Sequence, residues 1–190
     1  MYPMRLSPLP LDEWSPEARE LGDKMGGGPT GQQLNIFATL ARHPKLMKRW
    51  MVFASHILSK NTLSPRDREL LILRIGWLCQ APYEWGQHVA IGLRSDITRA
   101  EIDAITHGPA DPTWNDFDAA LLTAADELHE SARVSDATWA KLRTRYNDEQ
   151  MIDVVFTVGQ YNLVSMFLNS AGVELDDGVD ASPMGQSTPQ

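Results

Sequence analysis

From Leu70 to Leu78 the chain is almost continuously apolar, interrupted only by Arg74 and Gly76. A helix apolar nearly all round belongs in the middle of a core. Ser64 supplies its N-cap, Pro65 suits the first helical position, and Asp67 stands where a capping-box acid would. After Cys79 and Gln80, Pro82 opens a second helix running to about Leu93. The flanking chain also repeats its apolar residues at helical spacing. A proline-rich arm precedes a short amphipathic segment with Leu11, Trp14, Ala18 and Leu21, which Gly26-Gly27-Gly28-Pro29 breaks. Leu34, Ile36, Phe37 and Leu40 mark a short helix stopped near His43-Pro44, and Leu46, Met47, Trp50, Phe53, Ala54, Ile57 and Leu58 mark a longer one. Thr98 with Glu101 forms a capping box for a helix to about His107. Thr113 is the expected N-cap of a helix with Phe117, Leu121, Leu122, Ala125 and Leu128 on one face. Ser135 caps the next, and Asn147 with Gln150 caps the last, in which Met151, Ile152, Val155, Phe156 and Val158 lead to Phe167 and Leu168. Gly172 closes that helix, and the acidic, polar remainder is expected to be disordered. No segment alternates with period two. The pattern predicts an all-α protein.

Composition narrows the class. The 190 residues are 43% hydrophobic and 22% charged, which suits one soluble domain. A formal charge of -8 argues against nucleic acid or an anionic membrane as partner. The N-terminus lacks a signal-peptide core, and no uninterrupted run approaches the ~18 apolar residues of a membrane span. The single cysteine, Cys79, cannot form an internal disulfide, so a cytoplasmic location is expected. The glycine triplet follows no strand and lacks a Gly-Lys-Ser/Thr ending, so it is a loop and not a phosphate cradle.

The candidate chemistry sits in the central pair of helices. Glu84 and His88 are four apart on one face and can touch. A carboxylate beside an imidazole fixes its tautomer and raises its pKa; the competing reading is a solvated surface ion pair. Glu69, at the edge of the buried helix, needs a partner and could converge on His88. Arg74 needs an acid, with Glu69 favoured, or could receive a substrate carboxylate. Tyr83, Trp85, Trp77 and Tyr161 could wall a pocket. One histidine with two carboxylates is a weak metal signal, so neither a metal nor another cofactor is expected.

The run PRDRELLILRIGWLCQAPYEWGQH, with WNDFDAALLTAADELHE and VGQYNLVSMFLNSAGV, resembles the carboxymuconolactone decarboxylase family, whose superfamily also holds the AhpD-type alkylhydroperoxidases. The resemblance spans residues 34–173, leaving 1–33 as an arm with a short helix and 174–190 as a tail. It implies an AhpD-like single domain with two central antiparallel helices, assembled as a dimer, trimer or hexamer. Redox members carry a glutamate, then Cys-x-x-Cys, then a histidine four residues on. Here the glutamate falls on Glu69 and the histidine on His88, while the cysteine positions fall on Ala81 and Glu84. Without a cysteine pair, thiol peroxidase chemistry is not expected. What the resemblance leaves is a cofactor-free acid–base enzyme, a decarboxylase (lyase) or isomerase acting on a small carboxylated lactone or related compound. His88 would donate the proton, Glu84 orient it and Glu69 relay, with Arg74, Tyr83 and Trp85 binding substrate. The alternatives are a peroxidase-related protein by family label only and a non-catalytic ligand-binding or assembly protein. Glu84 and His88 facing a void would favour the enzyme.

Overall fold

The computed structural model describes residues 3–25 and 33–184. Among them the chain is helical without strands. In order come α1 (Pro16–Met25), α2 (Asn35–Leu40), α3 (Pro44–Ser59), α4 (Pro65–Leu78), α5 (Pro82–Arg94), α6 (Arg99–His107), α7 (Asp116–Ser131), α8 (Asp136–Leu142) and α9 (Asp148–Ala171). The glycine triplet expected to be a loop lies outside the described residues.

Helix α4 forms where its caps place it. The Ser64 side chain accepts from the Asp67 N–H, and Pro65 occupies the first turn, where its missing donor costs nothing. Leu70, Leu71, Ile72, Leu73 and Ile75 are completely buried, against Leu121, Leu122, Ala124 and Ala125 of α7 and Val154 and Val158 of α9. Each such side chain contributes roughly 1.5–3 kcal/mol of burial, which makes α4 the axis of the core. Residues 79–81 turn the chain back, with Gln80 in the left-handed region at φ 49°. Gly76 lies beside Trp85, and Glu69 reaches His88, so α4 and α5 run antiparallel. At Gly76 an added Cβ would sit 3.8 Å from the Trp85 nitrogen, so the helices approach closely there.

A second cluster, with Trp14, Ala18, Phe37, Met47, Met51, Tyr83 and Leu168, joins the N-terminal arm to the end of α9. The amides of Arg5 and Leu6 both donate to the Ala171 carbonyl at 2.8 and 3.0 Å, satisfying a helix-end acceptor. The capping boxes at Thr98 and Asn147, the Ser135 cap and the left-handed Gly172 stand as the pattern predicts.

The structure corrects three expectations. The α7 cap is Asn115, whose side chain accepts from the amides of Phe117 and Asp118; Thr113 instead donates its own amide to Asp111. On α9, Ile152 and Phe156 point outward at 55% and 51% exposure, because the inward stripe runs through Met151, Val154, Val158 and Tyr161. This 24-residue helix is long and apolar enough, by length and composition, to cross a membrane, yet 56% of its most apolar stretch is buried in this core. Residues 174–184 are ordered: Leu175 packs on the core, Ala181 is buried, and the Trp85 indole donates to the Ser182 carbonyl at 3.0 Å. This strap lies so close to α5 that a Cβ on Gly86 would meet Val179 at 2.7 Å. Residues 185–190 lie outside the described residues.

The third correction concerns Arg74. Its guanidinium forks onto Asp126 of α7 at 2.6 and 3.0 Å and donates to the Ile105 carbonyl at 2.7 Å, so neither Glu69 nor a substrate is its partner. It is a structural tie among α4, α6 and α7. Removing the acid from a buried pair strands the cation. Asp126→Ala should therefore cost about 3 kcal/mol or more in urea unfolding, and a loss below about 1 kcal/mol, the worth of a surface pair, would contradict it.

Candidate functional site

The α4–α5 hairpin brings Glu69, Glu84 and His88 together. Glu69 is wholly inaccessible, and its carboxylate is held from two sides: Arg68 Nε donates to Oε1 at 3.1 Å and His88 Nδ1 lies 2.6 Å from Oε2. On the other edge of the ring, His88 Nε2 lies 3.0 Å from Glu84 Oε1, one helical turn back. Both ring nitrogens thus face carboxylates. A neutral imidazole would aim a lone pair at one of them, whereas an imidazolium offers a proton to each. Burial is the largest single influence on His88 and opposes its charge, but the combined pull of Glu69 and then Glu84 prevails and raises the pKa to about 10. The result is a buried chain of alternating charge, Arg68–Glu69–His88–Glu84. Tyr161 of α9 packs against the imidazole edge to face, with ring centroids 4.9 Å apart. Burial, then the charges of Glu84 and Glu69, push its phenol well above the ordinary range and keep it protonated.

Glu84 and His88 border a cavity of about 370 Å³, lined in addition by Tyr83, Gln87, Gln160 and Tyr161 and by apolar side chains of α2 and α3. The void that separates an enzyme reading from a dry structural pair is therefore present. Asp176, in the strap, sets two of the wall residues. Its Oδ2 accepts from the Tyr83 hydroxyl at 2.5 Å and from Gln87 Nε2 at 2.6 Å, while Oδ1 accepts from the Asn35 amide at 2.7 Å. Burial and the hydrogen bond to Asp176 raise the Tyr83 phenol pKa.

Of the residues singled out in the sequence, Glu69, Glu84, His88, Tyr83 and Tyr161 meet here. Trp85 does not. It is completely buried against Trp77 and the strap, on a side of α5 away from the cavity, so neither indole can touch a ligand there. Cys79 lies outside the lining, with its Sγ 3.1 Å from Asn162 Oδ1, and burial pushes its thiol pKa up. Among the described residues, no group of three or more His, Cys, Asp or Glu side chains is arranged to hold a metal ion. Sequence reasoning missed Arg68, Gln160 and Asp176. Adjacent helical residues do not normally face each other, so Arg68 next to Glu69 gives no spacing signal. Gln160 had one: a polar residue on an otherwise inward stripe.

Comparison with known proteins agrees with this architecture. Residues 44–127 match the model of the carboxymuconolactone decarboxylase family. An AhpD-core, peroxidase-related protein from Ralstonia eutropha JMP134 superposes with a TM-score of 0.79 at 20% identity, covering 93% of this chain and 95% of its own. A peroxidase-related protein from Silicibacter sp. TM1040 gives 0.78 at 15% identity, covering 94% and 96%. The debrominase Bmp8, solved as a cysteine-to-alanine variant with 2,3,4-tribromopyrrole, gives 0.76 at 14% identity, covering 92% and 93%. At such identities the likeness is one of fold, and the fold is AhpD-like. No curated protein matches the chain in sequence.

The raised pKa of His88 has a stability signature. Folding favours the protonated ring, so the stabilisation is fully present below the unfolded value of ~6.5 and is lost as pH rises through about 10. The stability gap between the wild type and His88→Asn, measured by urea unfolding, should be widest near neutral pH and below and should shrink as pH approaches about 10. A gap that widens over that window would contradict the assignment.

Proposed function

We propose, for a chain whose residues 44–127 match the model of the carboxymuconolactone decarboxylase family, that the protein is a cofactor-free acid–base enzyme that moves a proton on a small lactone or related carbonyl compound. The observation that carries this reading is the Glu84–His88 contact, 3.0 Å long, bordering a largely apolar cavity of about 370 Å³. With both His88 nitrogens engaged, the proton passes to and from substrate through the second oxygen of Glu84, which no described group bonds. His88 holds Glu84 in place and balances its charge, and Glu69, backed by Arg68, holds His88. The donor role first expected of His88 thus moves to its neighbour.

Between the lyase and isomerase forms, the lining favours a proton shift. A substrate carboxylate would confront Glu84, and the guanidinium expected to offset it, Arg74, is committed to Asp126. Lys24 is the only lysine or arginine among the described lining residues, and it is paired with Glu20. Thiol peroxidation has no support, since Ala81 and Glu84 stand at the cysteine positions and Cys79 has no second thiol. Self-association is part of the same reading. Exposed Val52 and Phe53 of α3, with Phe156 edge to face on Phe53 at 6.0 Å, and Leu163 and Met166 of α9 leave apolar surface for a second copy.

The test is deuterium incorporation by NMR from deuterium oxide into a panel of small lactones and cyclic enones. Wild-type protein should accelerate exchange on at least one of them, Glu84→Gln should slow it by about 10²-fold or more, as for a general acid–base group, and His88→Asn, which releases Glu84 from its partner, should slow it as well. Full rates in both variants, or no exchange across the panel with wild type, would overturn the reading.

A further inference from the structure

Gln160 stands apart from the other buried polar side chains. Asp67 accepts from the Tyr146 hydroxyl at 2.6 Å, Asp153 accepts from the Thr62 amide and hydroxyl at 2.6 and 2.7 Å, and Thr138 donates to Glu127 at 2.9 Å. Gln160 is 5% exposed on the inward stripe of α9, and its carboxamide bonds no described residue. Buried groups without a described partner include the Ser165 hydroxyl, away from the cavity lining, and the indole N–H of Trp50, which is a lining residue. The Gln160 amide therefore keeps its hydrogen-bonding capacity for whatever occupies the cavity. Next to it, the Tyr161 hydroxyl likewise meets no described acceptor, and both residues line the cavity that Glu84 and His88 border.

The acceptors and donors around this cavity are unevenly committed. Glu84 faces His88, and Glu69 is held by His88 and Arg68; Asp176 takes up the Tyr83 hydroxyl and the Gln87 amide. Unspent hydrogen-bonding capacity remains on the second oxygen of Glu84, on the Trp50 indole N–H and, adjacent on α9, on the Gln160 carboxamide N–H and the Tyr161 phenol O–H; the phenol stays protonated beside two carboxylates. Two neutral donors suit an uncharged oxygen acceptor. We propose that Gln160 and Tyr161 bind the carbonyl oxygen of the substrate, which is accordingly a small, uncharged, largely apolar carbonyl compound. Its role in turnover rests on the acid–base reading above. As the C–H bond next to the carbonyl breaks, the proton goes to Glu84 and the electron pair moves onto the oxygen held by these donors. In a β,γ-unsaturated substrate, return of the proton to the γ-carbon shifts the double bond and restores the carbonyl, and no oxidant or reductant enters.

The experiment compares binding of three probes of similar size to full-length protein by calorimetry: α-tetralone, the hydrocarbon tetralin, and naphthoate. The ketone should bind most tightly. Gln160→Leu and Tyr161→Phe should each weaken the ketone roughly three- to tenfold, the worth of one hydrogen bond, and leave tetralin unchanged. Gln160→Leu should also leave the melting temperature unchanged or raise it, since it removes a buried amide with no protein partner. Equal binding of ketone and hydrocarbon, tightest binding of the carboxylate, no ketone binding at millimolar concentration, or a Gln160→Leu variant that melts lower and loses both neutral probes alike would each overturn the proposal. Binding and exchange are independent readouts. Ketone selectivity without deuterium exchange would keep this site and retire the acid–base reading, and exchange without selectivity would do the reverse.

Discussion

The clasp of His88 between Glu69 and Glu84 is the constraint on which the site depends. A carboxylate as buried as Glu69 is costly in the core unless it is paired. It stays because Arg68 and the His88 ring hold its two oxygens. The imidazolium, equally unfavourable alone, is held in turn by Glu84 at 3.0 Å. Removing any one member leaves its neighbour as a buried charge without its counterpart, so the four residues act as a unit. One end of the unit is sealed in the core. The other opens on the cavity, which is where a proton can be exchanged.

Everything larger in the fold can be traced to keeping α4 and α5 in register for that clasp. The apolar surface of α4 packs on α5, α7 and α9, and the Arg74–Asp126 fork ties it to α7 at a second point. On the far side, the strap after α9 returns across α5 and fixes the cavity wall through one carboxylate, Asp176, which serves Tyr83, Gln87 and the start of α2 together. Stability and site geometry therefore share residues. A change at Asp176 acts on the wall as well as on the fold.

Local physics was legible in the chain before any coordinates. Ser64, Thr98, Ser135 and Asn147 cap where their side chains predict, because capping involves neighbours three residues away. The Glu84–His88 contact was legible for the same reason, being one helical turn. Glu69 could be suspected only from its awkward burial. The partner of Arg74 was beyond such reading, since Asp126 is 52 residues away, and nearness in sequence to Glu69 pointed to the wrong acid. The tail misled by composition: acidic and polar residues suggested disorder, while Leu175, Asp176 and Ala181 each have a specific place on the core. On α9 the outward apolar residues Ile152 and Phe156 obscured which stripe faces inward, and with it the meaning of Gln160.

The central claim is that His88 is an imidazolium bridging two carboxylates, and nitrogen-15 NMR of the histidine ring across pH tests it most directly. Both His88 nitrogens should carry protons at neutral pH, with a midpoint near 10 that falls when Glu69 is replaced by Gln. A midpoint near the ordinary ~6.5, or one indifferent to Glu69→Gln, would contradict the account.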